Sequence, residues 1–192
     1  LQTKIDPGVL VLAMDKNIRS YADGKPRVKS SLRIYGKISS MSPQIVPFIW
    51  FDADPQEVHD YYAGIFDNFE TVAELRGPDG AVLGHTVSID GTQYSFFNGG
   101  AGFPHTNAVS LMIYTDDQAQ TDRYWDALIA DGGEAHACGW LSDKYGVKWQ
   151  VTPKLMMEIL AGDNAEGRER AFNEMLTMHK LIVADLQAAY DG

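Results

Sequence analysis

The chain has 192 residues, 45% of them hydrophobic and 22% charged, with a formal net charge of −10. These are ordinary values for a folded chain, so they exclude general disorder and a fibrous repeat. No apolar run approaches the roughly 20 residues needed to cross a bilayer, and the single cysteine, Cys138, excludes an intrachain disulfide and a multi-cysteine metal site.

The charge is uneven. Residues 1–40 carry a balance of +5 and the rest −15. An acidic body repels phosphate backbones, and the basic residues of the first forty are scattered without a motif, so no nucleic-acid partner is expected. That leader reads as a basic extension of unassigned role, ahead of a domain that opens near Met41. It lacks the long apolar stretch and small-residue cleavage site of a secretion signal. With one cysteine and no membrane span, a cytoplasmic location is expected.

From residue 45 the elements come in a clear order. Ile45 to Phe51 is a short apolar run that reads as a strand. Asp52, Asp54 and Pro55 then mark a helix start. Val58, Tyr61, Tyr62 and Ile65 fall at helical spacing. Strands are expected at Glu70 to Arg76, Ala81 to Asp90 and Thr92 to Asn98, separated by turns at residues 77–80 and at Asp90-Gly91.

The pattern then restarts. Ala108 to Thr115 reads as a strand and Asp116 to Asp131 as a helix stopped by Gly132-Gly133. Strand pieces follow at Glu134 to Ala137, around Trp140 and at Val147 to Thr152. The same order twice is the mark of an internal repeat. Beyond Pro153, helices are expected at Lys154 to Leu160, Glu166 to His179 and Ile182 to Tyr190. Met175, Leu176, Met178 and His179 are read there as a packed face.

This arrangement, with PFIWFD at residues 47–52, Tyr61-Tyr62, Asn98-Gly99-Gly100 and above all CGWLSDKYGVKWQ at residues 138–150, resembles the PhnB-like family. That family is often labelled 3-demethylubiquinone methyltransferase-like and belongs to the vicinal-oxygen-chelate superfamily of glyoxalases, bleomycin-resistance proteins and dioxygenases. The resemblance implies an α+β fold of two βαβββ modules with cupped mixed sheets and C-terminal helices. It places the domain at 43–192, with module one at about 43–100, module two at about 107–153 and the helices at about 154–190. It also implies a small-molecule cavity and a homodimer.

Metal-dependent members of that superfamily hold a divalent ion with His and Glu on strands facing the cavity. The corresponding positions here fall at Pro47, near Tyr94, at Ser110 and at Gln150, and none is a His or a carboxylate. The expectation is a protein without metal or other cofactor. The five histidines, His59, His85, His105, His136 and His179, share no metal-binding spacing. His59 and His179 read as surface or packing residues, and His85 as either a hydrogen-bonded structural residue or a cavity group. A site built from His85, His105 and His136 is the alternative.

Strand alternation, set from Pro47, Ser110 and Gln150, turns Ile49, Phe51, Met112, Tyr114, Lys148 and Thr152 into the cups. It turns Phe48, Trp50, Val109, Leu111, Ile113, Trp149 and Val151 toward the helices. The expected ligand-binding residues are Ile49, Phe51, Tyr94, Phe96, Ser110, Met112, Tyr114 and Gln150, a mixture suited to an uncharged or weakly polar organic molecule. Tyr94, His85 and Cys138 are the candidates for catalysis. Cys138 is read as a thiol activated beside His136 or as a buried structural cysteine.

No glycine-rich phosphate loop or S-adenosylmethionine motif is present, so the methyltransferase label is not supported by the residues. A binding protein for a small, largely apolar molecule and a glyoxalase-type lyase, isomerase or dioxygenase-like enzyme both remain open. So does a structural dimer whose cavity is filled by Phe96, Phe97 and Met112.

Overall fold

A computed structural model describes residues 44–192 together with three short strands of the leader, β1 (Val9–Val11), β2 (Tyr21–Ala22) and β3 (Lys25–Pro26). The reading of residues 1–40 as an extension otherwise lies outside the described residues. The chain divides into two compact units, the first ending at Ala101 and the second beginning at Gly102.

The first unit runs β4 (Phe48–Phe51), α1 (Pro55–Ile65), β5 (Phe69–Arg76), β6 (Val82–Ile89) and β7 (Thr92–Asn98). Its sheet order is β1-β5-β6-β7-β4, with β4 parallel to β7 and the β5-β6-β7 meander antiparallel. Helix α1 starts where its sequence signals place it. Asp54 accepts hydrogen bonds from the amides of Gln56 and Glu57 at 2.9 and 3.2 Å, and Pro55 occupies the first turn, where a missing N–H costs nothing. Gly84 is required in β6 because a Cβ there would lie 2.0 Å from the Phe96 carbonyl oxygen.

The second unit repeats the order as β8 (Leu111–Thr115), α2 (Gln118–Ile129), β9 (Glu134–Ala135), β10 (Trp140–Ser142) and β11 (Lys148–Pro153). Its sheet order is β8-β11-β10-β9, again with the module's first strand parallel to its last. Asp117 caps α2 through the Gln120 amide, while a buried pair of hydroxyls, Thr115 and Thr121, joins strand to helix at 2.7 Å. The fold is therefore α+β, with two βαβββ modules in mixed sheets.

Three helices follow: α3 (Lys154–Ala161), α4 (Ala165–Thr177) and α5 (Val183–Asp191). They enclose Met156, Ile159, Ala171, Met178, Leu181 and Leu186. The methionines of this stretch are core residues, Met178 buried and Met175 packed against it. Leu176 and His179, however, are exposed: Leu176 lies within α4 but outside its packed face, and the helix stops at Thr177, before His179.

The run at residues 138–150 has a structural role. The Cys138 and Gly139 amides donate to the carbonyls of Met178 and His179, both at 2.8 Å, tying the C-terminal helices to the sheet. Both residues have positive φ, and a Cβ at Gly139 would sit 2.9 Å from the Val151 carbonyl oxygen. Buried Asp143 takes the amides of Tyr145 and Val147 on one oxygen and the Trp149 indole N–H on the other, at 3.0, 3.0 and 2.9 Å. One carboxylate thus fixes the turn before β11 and the position of its buried tryptophan.

Candidate functional site

Each sheet has one face packed on a helix and one open face, and the register says which residue lies on which. In the first unit the helix-packed face carries Phe51, Tyr94, Phe96 and His85. Phe51 and Phe96 have ring centroids 5.5 Å apart and lie 6.1 and 5.0 Å from that of Tyr62 on α1. Ile49 pairs with Phe96 and shares that side. Phe48 and Trp50 stand on the other face against Phe97, at 5.5 and 6.1 Å.

The facing expected for β4 is therefore reversed: Phe51 is 3% exposed, whereas Phe48 and Trp50 are 57% and 40% exposed. All four residues of β4 are apolar, so alternation alone could not separate the sides. A signal for the correct side does exist in the sequence at Gly99. A Cβ there would lie 1.7 Å from Trp50 Nε1, because the indole covers that glycine on the open face.

His85 is buried on the helix side, its ring centroid 4.8 Å from that of His59. His59 bonds Thr71 Oγ1 through Nε2 and Asp60 through Nδ1. Burial, and then the neighbouring His59, holds His85 below the usual imidazole range against the opposing pull of Glu74, the Pro55 carbonyl and Asp60. Its Nδ1 has no hydrogen-bond partner among the described residues. Burial, followed by the negative charge of Asp90, pushes the Tyr94 phenol up, which keeps it protonated.

The second unit follows its expected facing in β11. Trp149 and Val151 are buried, while Gln150 and Lys148 lie on the open side with half-buried side chains. Trp140, Gln150 and Met112 form one row across β10, β11 and β8. Tyr114 and Thr152 form a second row, and Ser142 and Lys148 a third. Met112 and Tyr114 are 40% and 51% exposed. Val109, expected on the helix side, precedes β8 and is exposed.

The polar groups of this face are organised. Gln150 Nε2 donates to Ser110 Oγ at 2.8 Å. Ser142 Oγ lies 2.8 Å from His136 Nε2 and accepts a hydrogen bond from Lys148 Nζ at 2.6 Å. Sequence alone does not combine His136, Ser142 and Lys148, because their pairing depends on the β9-β10-β11 register. Spacing hints at it, since Lys148 and Gln150 share one side of a strand whose other side is Trp149 and Val151.

Of the residues named from sequence, the structure brings together Ser110, Met112, Tyr114 and Gln150 on this open face. It brings together Ile49, Phe51, Tyr94, Phe96 and His85 against α1. Cys138 is half-buried and free, with its backbone committed to the C-terminal docking. A separate depression of about 360 Å³, lined by Asn68, Glu70, Ser88, Asp90 and Gly91, sits by the β6-β7 turn and is polar and acidic.

The donors at the superfamily's metal positions do not fit a divalent ion. Pro47 has no donor side chain, the Tyr94 phenol lies on the helix-packed sheet face, and Ser110 and Gln150 bond each other. Among the described residues, no three His, Cys, Asp or Glu side chains converge on a common point. No described helix is long and apolar enough to cross a membrane.

Two βαβββ units, each pairing its first strand with its last in parallel, define the vicinal-oxygen-chelate fold. The family model described as 3-demethylubiquinone-9 3-methyltransferase matches residues 43–152, and the chain belongs to that family. Among solved structures, the PhnB protein from Bacillus cereus is similar at 26% identity and a TM-score of 0.52, covering 58% of this chain and 99% of that one. Protein PA1353 from Pseudomonas aeruginosa matches at 20% identity and a TM-score of 0.49, covering 58% and 98%. The fosfomycin resistance protein FosX from Mesorhizobium loti matches at 14% and 0.47, covering 64% and 99%. No curated protein matches the chain by sequence.

Proposed function

We propose that this chain is a metal-free glyoxalase-fold protein that binds a small, largely apolar organic molecule on the open face of its second sheet. The observation that carries the reading is the exposure of Met112 and Tyr114 beside Trp140 and the Gln150–Ser110 pair. Large side chains on a sheet face are normally covered, and an apolar surface with a few placed polar groups is what small-molecule sites are made of.

Fluorescence titration with the neutral probe N-phenyl-1-naphthylamine tests it. Saturable binding by the native chain is expected to weaken about tenfold in a Met112→Ser, Tyr114→Ser double variant. Equal binding by both proteins would place the apolar site elsewhere.

A glyoxalase-type lyase, isomerase or dioxygenase-like enzyme is the second reading, and the Ser142 hydroxyl between an imidazole and an ammonium is the observation in its favour. In that reading His136 Nε2 exchanges a proton with Ser142 Oγ while Lys148 stabilises negative charge on oxygen. Turnover of the methylglyoxal–glutathione hemithioacetal, lost in His136→Gln, would establish it. The residues offer no support for methyl transfer.

A further inference from the structure

We infer that the molecule bound on the second sheet is an organic anion, with its charged group, a carboxylate or a comparable oxyanion, held by Lys148 and Ser142 and its apolar body lying on Trp140, Met112 and Tyr114. This rests on the open-face reading above and adds the chemical class of the ligand.

Lys148 carries the argument. Its ammonium has three N–H donors, and one is used on Ser142 Oγ at 2.6 Å. Among the described residues of this unit, Lys154 pairs with Asp116, and Lys180 with Asp122 and Asp126, but Lys148 belongs to no ion pair. Glu134 stands opposite Ser142 at the sheet edge, exposed and not paired with it. A half-buried ammonium without a carboxylate is costly unless something else compensates it, and here the remaining donors open onto the same face as the exposed apolar side chains.

Ser142 sharpens the geometry. When its oxygen accepts from Lys148, its own proton can go to His136 Nε2. When the imidazole carries its hydrogen on Nε2, the same oxygen accepts from both neighbours and the hydroxyl proton is free to point toward a ligand oxygen. Lys148 Nζ and Ser142 Oγ then present convergent donors, the arrangement that recognises an oxyanion.

Long-range electrostatics does not supply this preference. The chain carries a net charge of −10, so an anion approaches against the overall field and must be held locally. The row order places the charge beside the aromatic surface. Lys148 lies two residues from Gln150 on the same strand side, and Gln150 is in register with Trp140 and Met112.

The test compares two naphthyl probes by fluorescence titration, anionic 1-anilinonaphthalene-8-sulfonate and neutral N-phenyl-1-naphthylamine, on the native chain and on Lys148→Met, Lys148→Arg and the Met112→Ser, Tyr114→Ser variant. The native chain is expected to prefer the anionic probe by about tenfold; Lys148→Met should erase that preference while leaving the neutral probe within about twofold, and Lys148→Arg should keep it. If Lys148→Met fails to give the native near-UV circular dichroism, Lys148→Gln takes its place. Equal binding of the two probes, or an anionic preference that survives removal of Lys148, overturns the anion assignment. In that case, loss of both probes in the Met112→Ser, Tyr114→Ser variant would leave the apolar site standing. Failure of the native chain to bind either probe overturns both.

Discussion

The two modules share a topology and distribute polarity differently over it. In the first, the open face of β4 and β7 is aromatic, with Phe48, Trp50 and Phe97 in contact, and His85 is buried on the helix side beside the half-buried His59. In the second, the helix side is built around Trp149, Val151 and Leu128, with the buried Asp143 carboxylate satisfied by two amides and the Trp149 indole, while His136 and Lys148 meet at Ser142 on the open side. One connectivity therefore carries two arrangements: the first module sets its histidine pair on the α1 side of its sheet, and the second sets its histidine and lysine on the sheet face that also carries Met112 and Tyr114.

The sharpest way to break this comparison is to truncate one aromatic on each side of β4. Phe51→Ala removes a ring that is 3% exposed and packed on Tyr62 and Phe96, and is expected to cost about 3–5 kcal/mol in urea unfolding. Phe48→Ala, at 57% exposure, should cost less than about 1 kcal/mol. Equal losses would mean that the two faces of the first sheet are equally enclosed.

That pair of residues also shows what the sequence could and could not convey. Element order, helix starts and the repeat were readable because each rests on local chemistry, such as Asp54 with Pro55, Asp117 before α2, or the glycine turns. Facing in β11 was readable because Lys148 and Gln150 alternate with Trp149 and Val151. Facing in β4 was not, since four consecutive apolar residues look alike from either side and Tyr62 decides between them through space. The Ser142 cluster was equally hidden. His136 is six residues from Ser142 and reaches it only through the β9-β10 hairpin, and Lys148 only through the register of β10 with β11.

A smaller loss should come from the turn that supports the open face of the second module. Asp143→Ala removes the acceptor for the half-buried Tyr145 amide and for the buried Val147 amide and Trp149 indole, and is expected to cost about 3 kcal/mol. Because the Trp149 indole loses its Asp143 acceptor on β11's helix side, its fluorescence emission should shift together with the stability. Loss of stability with unchanged emission would show that packing alone holds the indole.

The smallest effect tests the enclosed histidines of the first module by pH. His85 is held below its usual value of about 6.5, so the folded chain binds fewer protons than the unfolded chain below that pH. Its contribution to stability is complete above about pH 6.5 and is lost progressively as the pH falls toward the lowered folded value, with a slope of at most about 1.4 kcal/mol per pH unit for one proton. His59, Glu74 and Asp60 face the same imidazole, the histidine adding to the penalty and the carboxylates opposing it. His85→Leu should flatten this part of the pH dependence of urea unfolding. A profile left unchanged by His85→Leu would show that the buried imidazole of the first module does not carry this pH dependence.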